Sequence, residues 1–151
     1  MQKGRILVVD DNKGIQSALE LLLAPVCKSV NCIDGPNRLV PILEAGNIDL
    51  ILLDMNFSAG VNSGNEGLYW LKRIKEINAD IPVILITAYG DVELAVKALK
   101  EGATDFILKP WDNQKLLATV EAGFQLRWSK LEVTHLKQRE KFLKKEINRE
   151  V

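Results

Sequence analysis

Ile48-Asp49-Leu50-Ile51-Leu52-Leu53-Asp54 is an apolar run too short for a soluble helix, and it ends abruptly in a carboxylate. Apolar character without alternation is the mark of a strand covered on both faces, so the stretch reads as the central strand of a parallel sheet. Open α/β sheets bind ligands beyond the carboxyl ends of their strands, which makes Asp54 the first candidate for chemistry. Three further runs end in functional groups. Arg5–Val9 delivers Asp10 and Asp11, Val83–Ile86 closes on Thr87, and Phe106–Leu108 delivers Lys109 and Pro110. As parallel neighbours these strands would bring three carboxylates, a hydroxyl and an ammonium to one rim, the composition of a divalent-cation and phosphoryl site.

The chain has 151 residues, 47% hydrophobic and 26% charged, which predicts one compact domain with a sizeable core and an appendage. No stretch is apolar enough to cross a bilayer, and Met1-Gln2-Lys3-Gly4-Arg5 leads into a strand without a secretory core. A cytoplasmic protein with no membrane partner is expected. Cys27 and Cys32 have neither redox nor zinc spacing and read as free buried thiols. The net charge of zero hides an asymmetry: residues 1–123 carry 12 basic and 16 acidic side chains, residues 124–151 carry 8 and 4. The division expected is a domain over 1–123 and a helical linker over 124–151.

Along the chain, strand and helix signals alternate five times. Ile15, Ala18, Leu19, Leu22 and Leu23 form a helical stripe that Asp11 or Asn12 can cap and Pro25 ends. Ser29–Ile33 reads as a strand, and Leu39, Ile42 and Leu43 as a helix stopped by Gly46. After the central strand, residues 57–67 read as a loop rich in Gly and turn formers, longer than the usual connection of about two to six residues. Leu68, Leu71 and Ile74 mark the next helix. Pro82 introduces the strand to Thr87, Ala95, Ala98 and Leu99 mark a helix ended by Gly102, and the strand to Lys109 follows. The right-handed crossover rule turns this alternation into a doubly wound α/β parallel sheet. Asp112 or Asn113 caps a last helix through Leu116, Leu117 and Val120, and no Pro or Gly stops it after Phe124.

A carboxylate attacks phosphorus poorly because both groups are anionic, and a cation between them removes that obstacle. Asp10, Asp11 and Asp54 with one backbone carbonyl would suffice for Mg²⁺. Lys109 would neutralise a second phosphoryl oxygen and Thr87 would donate to a third. Taken singly, these residues have plainer readings as a helix cap, a solvated lysine and an ordinary strand threonine. Four strand ends that all carry the needed groups favour a site.

Val8-Val9-Asp10-Asp11-Asn12, Leu52-Leu53-Asp54-Met55, Ile86-Thr87-Ala88 and Lys109-Pro110 together resemble the signature segments of receiver domains of two-component response regulators, over Ile6 to about Phe124. The resemblance implies a flavodoxin-like (βα)5 fold with strand order 2-1-3-4-5. It implies that Asp54 accepts a phosphoryl group from a sensor histidine kinase, with Mg²⁺ held by Asp10 or Asp11, Asp54 and the carbonyl of Asn56. It implies a switch through Thr87 and Phe106, a cis Lys109–Pro110 bond, and tuning of phosphoryl lifetime by Asn56 and Tyr89. The family usually places a Pro and then a Gly soon after the acceptor; here Gly67 lies thirteen residues on, so the loop carries an insertion.

That loop and the tail most resemble the receivers of NtrC-type regulators, which work with sigma-54. The resemblance implies ATPase and DNA-binding domains beyond Val151. Residues after 124 contain neither a phosphate-binding Lys loop nor a helix-turn-helix candidate, so no direct nucleic-acid binding is expected of this chain. A haloacid dehalogenase-type phosphatase uses similar groups but needs an Asp where Asn56 stands. A degenerate receiver serving as a dimerisation module is the other alternative. His135 reads as a solvated or interface residue of the tail. Leu126, Val133, Leu136, Leu143 and Ile147 fall on a and d positions of one heptad register, with Ser129, Glu140 and Glu150 in the rest, so a homodimer through a weak coiled coil is expected.

Overall fold

The structure is a computed structural model that describes residues 3–55, 65–88 and 91–149. Asn56, the loop from Phe57 to Gly64, Tyr89 and Glu150 lie outside the described residues. Five strands, β1 (Arg5–Val9), β2 (Ser29–Ile33), β3 (Leu50–Asp54), β4 (Val83–Ala88) and β5 (Asp105–Lys109), alternate with α1 (Lys13–Leu23), α2 (Leu39–Glu44), α3 (Asn65–Ile77), α4 (Val92–Lys100) and α5 (Asn113–Arg149). The sheet is parallel throughout, in the order β2-β1-β3-β4-β5, as the alternation and the resemblance require.

Every residue of β3 is buried because helices cover both faces. Leu7, Val9, Ile51, Leu53, Val83 and Leu85 point to a layer filled by α2, α3 and α4. Their alternating neighbours Ile6, Val8, Leu50, Leu52, Ile84 and Ile86 point to a layer filled by α1 and α5. Continuous apolar runs thus serve two cores at once, residue by residue.

Several boundaries differ from the expectation. The regular strand starts at Leu50, because Asp49 is turned into a buried ion cluster with Arg5 and Arg127. α3 begins at Asn65, so Gly67, expected in the loop, lies inside the helix. A Cβ there would come within 2.7 Å of Met55 Sδ and 3.1 Å of Met55 Cα, so this glycine permits close approach of helix to strand rather than a turn. Gly46 and Gly102 do end their helices, at φ 76° and 114°. Cys27 is buried as expected but Cys32, on edge strand β2, is only half-buried.

The last helix runs 37 residues without a break. Its row Leu116, Val120, Phe124 and Arg127 is buried on the domain, and Trp128 stacks on Phe124 with ring centroids 6.0 Å apart. Beyond Lys130 nearly every described residue is exposed, His135 included.

Candidate functional site

The parallel register brings the ends of β1, β3, β4 and β5 to one edge, so Asp10, Asp54, Thr87 and Lys109 meet there. Asp10 is fully buried, and its amide donates to the Ile33 carbonyl at 3.1 Å, extending the β1–β2 ladder by one residue. Its Oδ1 accepts from the Asn12 amide at 2.9 Å. Its Oδ2 lies 3.2 Å from Lys109 Nζ and accepts no hydrogen bond from the described residues. Asp54 ends β3 at 2% exposure, and its Oδ1 accepts from Lys109 Nζ at 3.2 Å.

Asn12, not Asp11, caps α1: its Oδ1 accepts from the Ile15 amide at 3.1 Å. Asp11 is exposed and its carboxylate faces the site, with oxygens of Asp10, Asp11 and Asp54 all within 4.8 Å of one another. Three carboxylates against the one ammonium of Lys109 leave two negative charges among the described residues, the charge of one divalent cation. Like charges this close repel unless a cation or a proton intervenes. The all-oxygen donor set, with a buried Asp10 Oδ2 that accepts no hydrogen bond from the described residues, fits Mg²⁺. The Asn56 carbonyl, the remaining expected ligand, lies outside the described residues.

Thr87 is fully buried, yet among the described residues its Oγ1 has no hydrogen-bond partner. A buried hydroxyl in that state costs free energy and is ready to pair with an incoming oxygen. Phe106, three residues before Lys109, is half-buried against the α2–α3–α4 layer. The Lys109–Pro110 bond is cis, and Ile15, Pro110 and Trp111 line an apolar hollow of about 400 Å³ beside the Lys109 stem.

Two polar clusters escaped the reading of the sequence. Gln16 occupies one row of α1 with Leu19 and Leu23 and is buried with them; a polar residue on an apolar row was the available signal. Asp49 interrupts the apolar run of the central strand and Arg127 follows Val120 and Phe124 on the buried row of α5. Nothing local in the sequence pairs the two.

Comparisons with known proteins agree with this geometry. A family model described as the response regulator receiver domain matches residues 6–121. The chain is 35% identical over 121 residues to the DNA-binding transcriptional regulator NtrC of Salmonella typhimurium, covering 80% of this chain and 25% of that protein. It is 31% identical over 123 residues to the transcriptional regulatory protein FixJ of Bradyrhizobium diazoefficiens, covering 82% and 58%. Among solved structures, the N-terminal signal receiver domain of a response regulator from Bacteroides fragilis is 47% identical with TM-score 0.74, covering 82% of this chain and 98% of that one. NtrX from Brucella abortus, with ADP, is 27% identical with TM-score 0.80, covering 92% and 30%. The chain therefore spans less than two thirds of the regulators NtrC and FixJ.

Proposed function

Because this chain belongs to the response regulator receiver domain family, we propose that Asp54 is its phosphoacceptor and that a sensor histidine kinase is the donor. The supporting observation is the convergence of Asp54, Lys109, Asp10 and Asp11 on one rim, with Asp54 contacting the ammonium of Lys109 at 3.2 Å. An Asp54 oxygen attacks phosphorus as the P–N bond of the phosphohistidine breaks; an acyl phosphate forms and the imidazole leaves with the bonding pair. Asp10, Asp11, Asp54 and the Asn56 carbonyl would hold Mg²⁺, which when bound neutralises phosphoryl oxygens during transfer. Lys109 exchanges its contact with Asp54 for a phosphoryl oxygen. Thr87 Oγ1 donates to another, and Phe106 follows it inward as the switch.

Residues 1–123 form the receiver body in this reading, and 124–151 a helical linker whose first residues, Phe124, Arg127 and Trp128, lie against it. Leu126, Val133, Leu136, Leu143 and Ile147 are 37–64% exposed on one side of that helix, apolar surface that a second copy would cover in a parallel coiled coil. In this register Glu132 (g) faces Lys137 (e) of the twin. The output proposed is transcriptional, in the sigma-54-dependent manner of NtrC-type regulators, in the cytoplasm and without direct nucleic-acid contact by this chain. Among the described residues no helix is long and apolar enough to cross a membrane.

Intact-mass measurement after treatment with acetyl phosphate and Mg²⁺ tests the site. One phosphoryl group is expected on the wild type and none on Asp54→Asn. Uptake by Asp54→Asn at the wild-type rate would refute the assignment, and no uptake by the wild type would favour a degenerate receiver.

A further inference from the structure

The backbone leaves β1 for α1 through Asp10, Asp11 and Asn12, and the Asp10 carbonyl lies beyond the last residue paired with β3. A carbonyl in so buried a place needs a donor. Gln16 supplies it: Nε2 is 2.5 Å from Asp10 O and 2.9 Å from Asp34 Oδ1. The same Asp34 oxygen takes Lys13 Nζ at 2.5 Å, so the far anchor of the amide is itself held. Gln16 is 8% exposed, and its main-chain amide donates to Asn12 O at 3.0 Å, so both its backbone and its side chain grip this one turn.

We propose that Gln16 is a positioning residue for the cation site, aiming the Asp11 carboxylate through the Asp10–Asp11 peptide. The inference rests on the reading that Asp10, Asp11 and Asp54 hold Mg²⁺. With β1 paired up to Val9 and Asn12 held by the cap of α1, the planar Asp10–Asp11 peptide turns as one unit, so holding the Asp10 carbonyl restrains ψ of Asp10 and φ of Asp11 together. Those angles set the direction in which the Asp11 side chain leaves the chain. Among the described residues no group donates to the exposed Asp11 carboxylate, so what the fold sets for it is the direction of its Cα–Cβ bond, and the side-chain rotamers reach the site from there. Buried Asp10, by contrast, is steered by Asn12 and Lys109 directly. Gln16 thus acts on the ligand that nothing else in the described structure holds. Groups that orient metal ligands from outside typically control affinity by about 10- to 100-fold.

Calorimetric titration of the full chain with Mg²⁺ tests this on wild type, Asp11→Ala and Gln16→Met, the last keeping volume and losing the donor. The expectation is that Asp11→Ala abolishes binding and Gln16→Met weakens it at least about 10-fold. Acetyl phosphate uptake by Gln16→Met should need correspondingly more Mg²⁺ for its half-maximal rate, yet reach within about threefold of the wild-type rate at saturation, the split of a residue that sets affinity rather than chemistry. If Gln16→Met loses stability in urea but binds Mg²⁺ within about twofold of wild type, Gln16 only satisfies a buried carbonyl and the inference is overturned while the site reading stands. If Asp11→Ala binds like wild type, or wild type does not bind, the site reading fails and takes the inference with it. Should Gln16→Met fail to fold, Asp34→Ala releases the amide's second anchor, and unchanged Mg²⁺ affinity there overturns the inference equally.

Discussion

Asp49→Asn should be among the most destabilising single changes available in this chain, although Asp49 lies at the end of the sheet opposite the candidate site. Its carboxylate is 4% exposed. Oδ2 accepts from the Arg5 amide at 2.9 Å and from Arg5 Nε at 3.0 Å, Oδ1 accepts from Arg5 Nη2 at 3.3 Å, and Arg127 Nε stands 3.6 Å from Oδ1. Neutralising it leaves the Arg127 guanidinium, 8% exposed, without its counter-charge. Breaking a buried pair by removing one partner costs about 3–5 kcal/mol. The Arg5 side chain is 31% exposed and can turn to water, so the lower end, about 3 kcal/mol, is expected. With a urea slope of roughly 2 kcal/mol/M, the unfolding midpoint falls by about 1.5 M. Arg127→Met should cost far less, because Asp49 keeps Arg5 and the methionine covers the same apolar neighbours. Burial pushes the Asp49 carboxyl up, but the Arg5 side-chain and backbone hydrogen bonds and the charges of Arg5 and Arg127 outweigh it and hold it below the usual carboxylate range. A depressed folded value stabilises above the unfolded value of about 3.9 and is lost as pH falls through the folded one. The gap between wild type and Asp49→Asn should therefore narrow only in acid below that range. Equal losses for Asp49→Asn and Arg127→Met, or a loss under about 1 kcal/mol for Asp49→Asn, would refute the buried-charge account.

Thr87→Val removes a buried hydroxyl that has no partner among the described residues while keeping its volume, so urea unfolding should show equal or greater stability, by up to about 1 kcal/mol, as the phosphorylation-dependent shift in the Phe106 environment disappears by NMR; a clear loss of stability would mean the hydroxyl is paired. Asp11→Ala should match or exceed wild-type stability without metal, since Asn12 makes the helix cap and one of three clustered carboxylates is gone; a lower midpoint in chelator would contradict this. Leu136→Glu with Leu143→Glu in the full chain should convert a dimer to a monomer in sedimentation, and a monomeric wild type at tens of micromolar, with and without phosphorylation, would leave the tail a plain linker.

The order of elements was written in the sequence because a parallel sheet covered on both faces demands uninterrupted apolar strands, and each of those strands ended in a chemically distinctive group. Asp10, Asp54, Thr87 and Lys109 were legible one by one for that reason. Which residue caps α1 was not: Asp11 and Asn12 are both capable, and only the geometry of the turn gave the cap to Asn12 and left Asp11 to the site. Gly67 was misplaced in the loop because a glycine required by a backbone that would lie 3.1 Å from any Cβ looks, in one dimension, like a glycine required by a turn. Gln16 with Asp34, and Asp49 with Arg5 and Arg127, were invisible because their partners are 18, 44 and 78 positions apart in the sequence. Local propensity and periodicity extend over a few turns of chain; pairs brought together by the sheet exist only once the strands have chosen their neighbours, so the tertiary structure alone decided which buried charges are met and which carbonyl Gln16 holds.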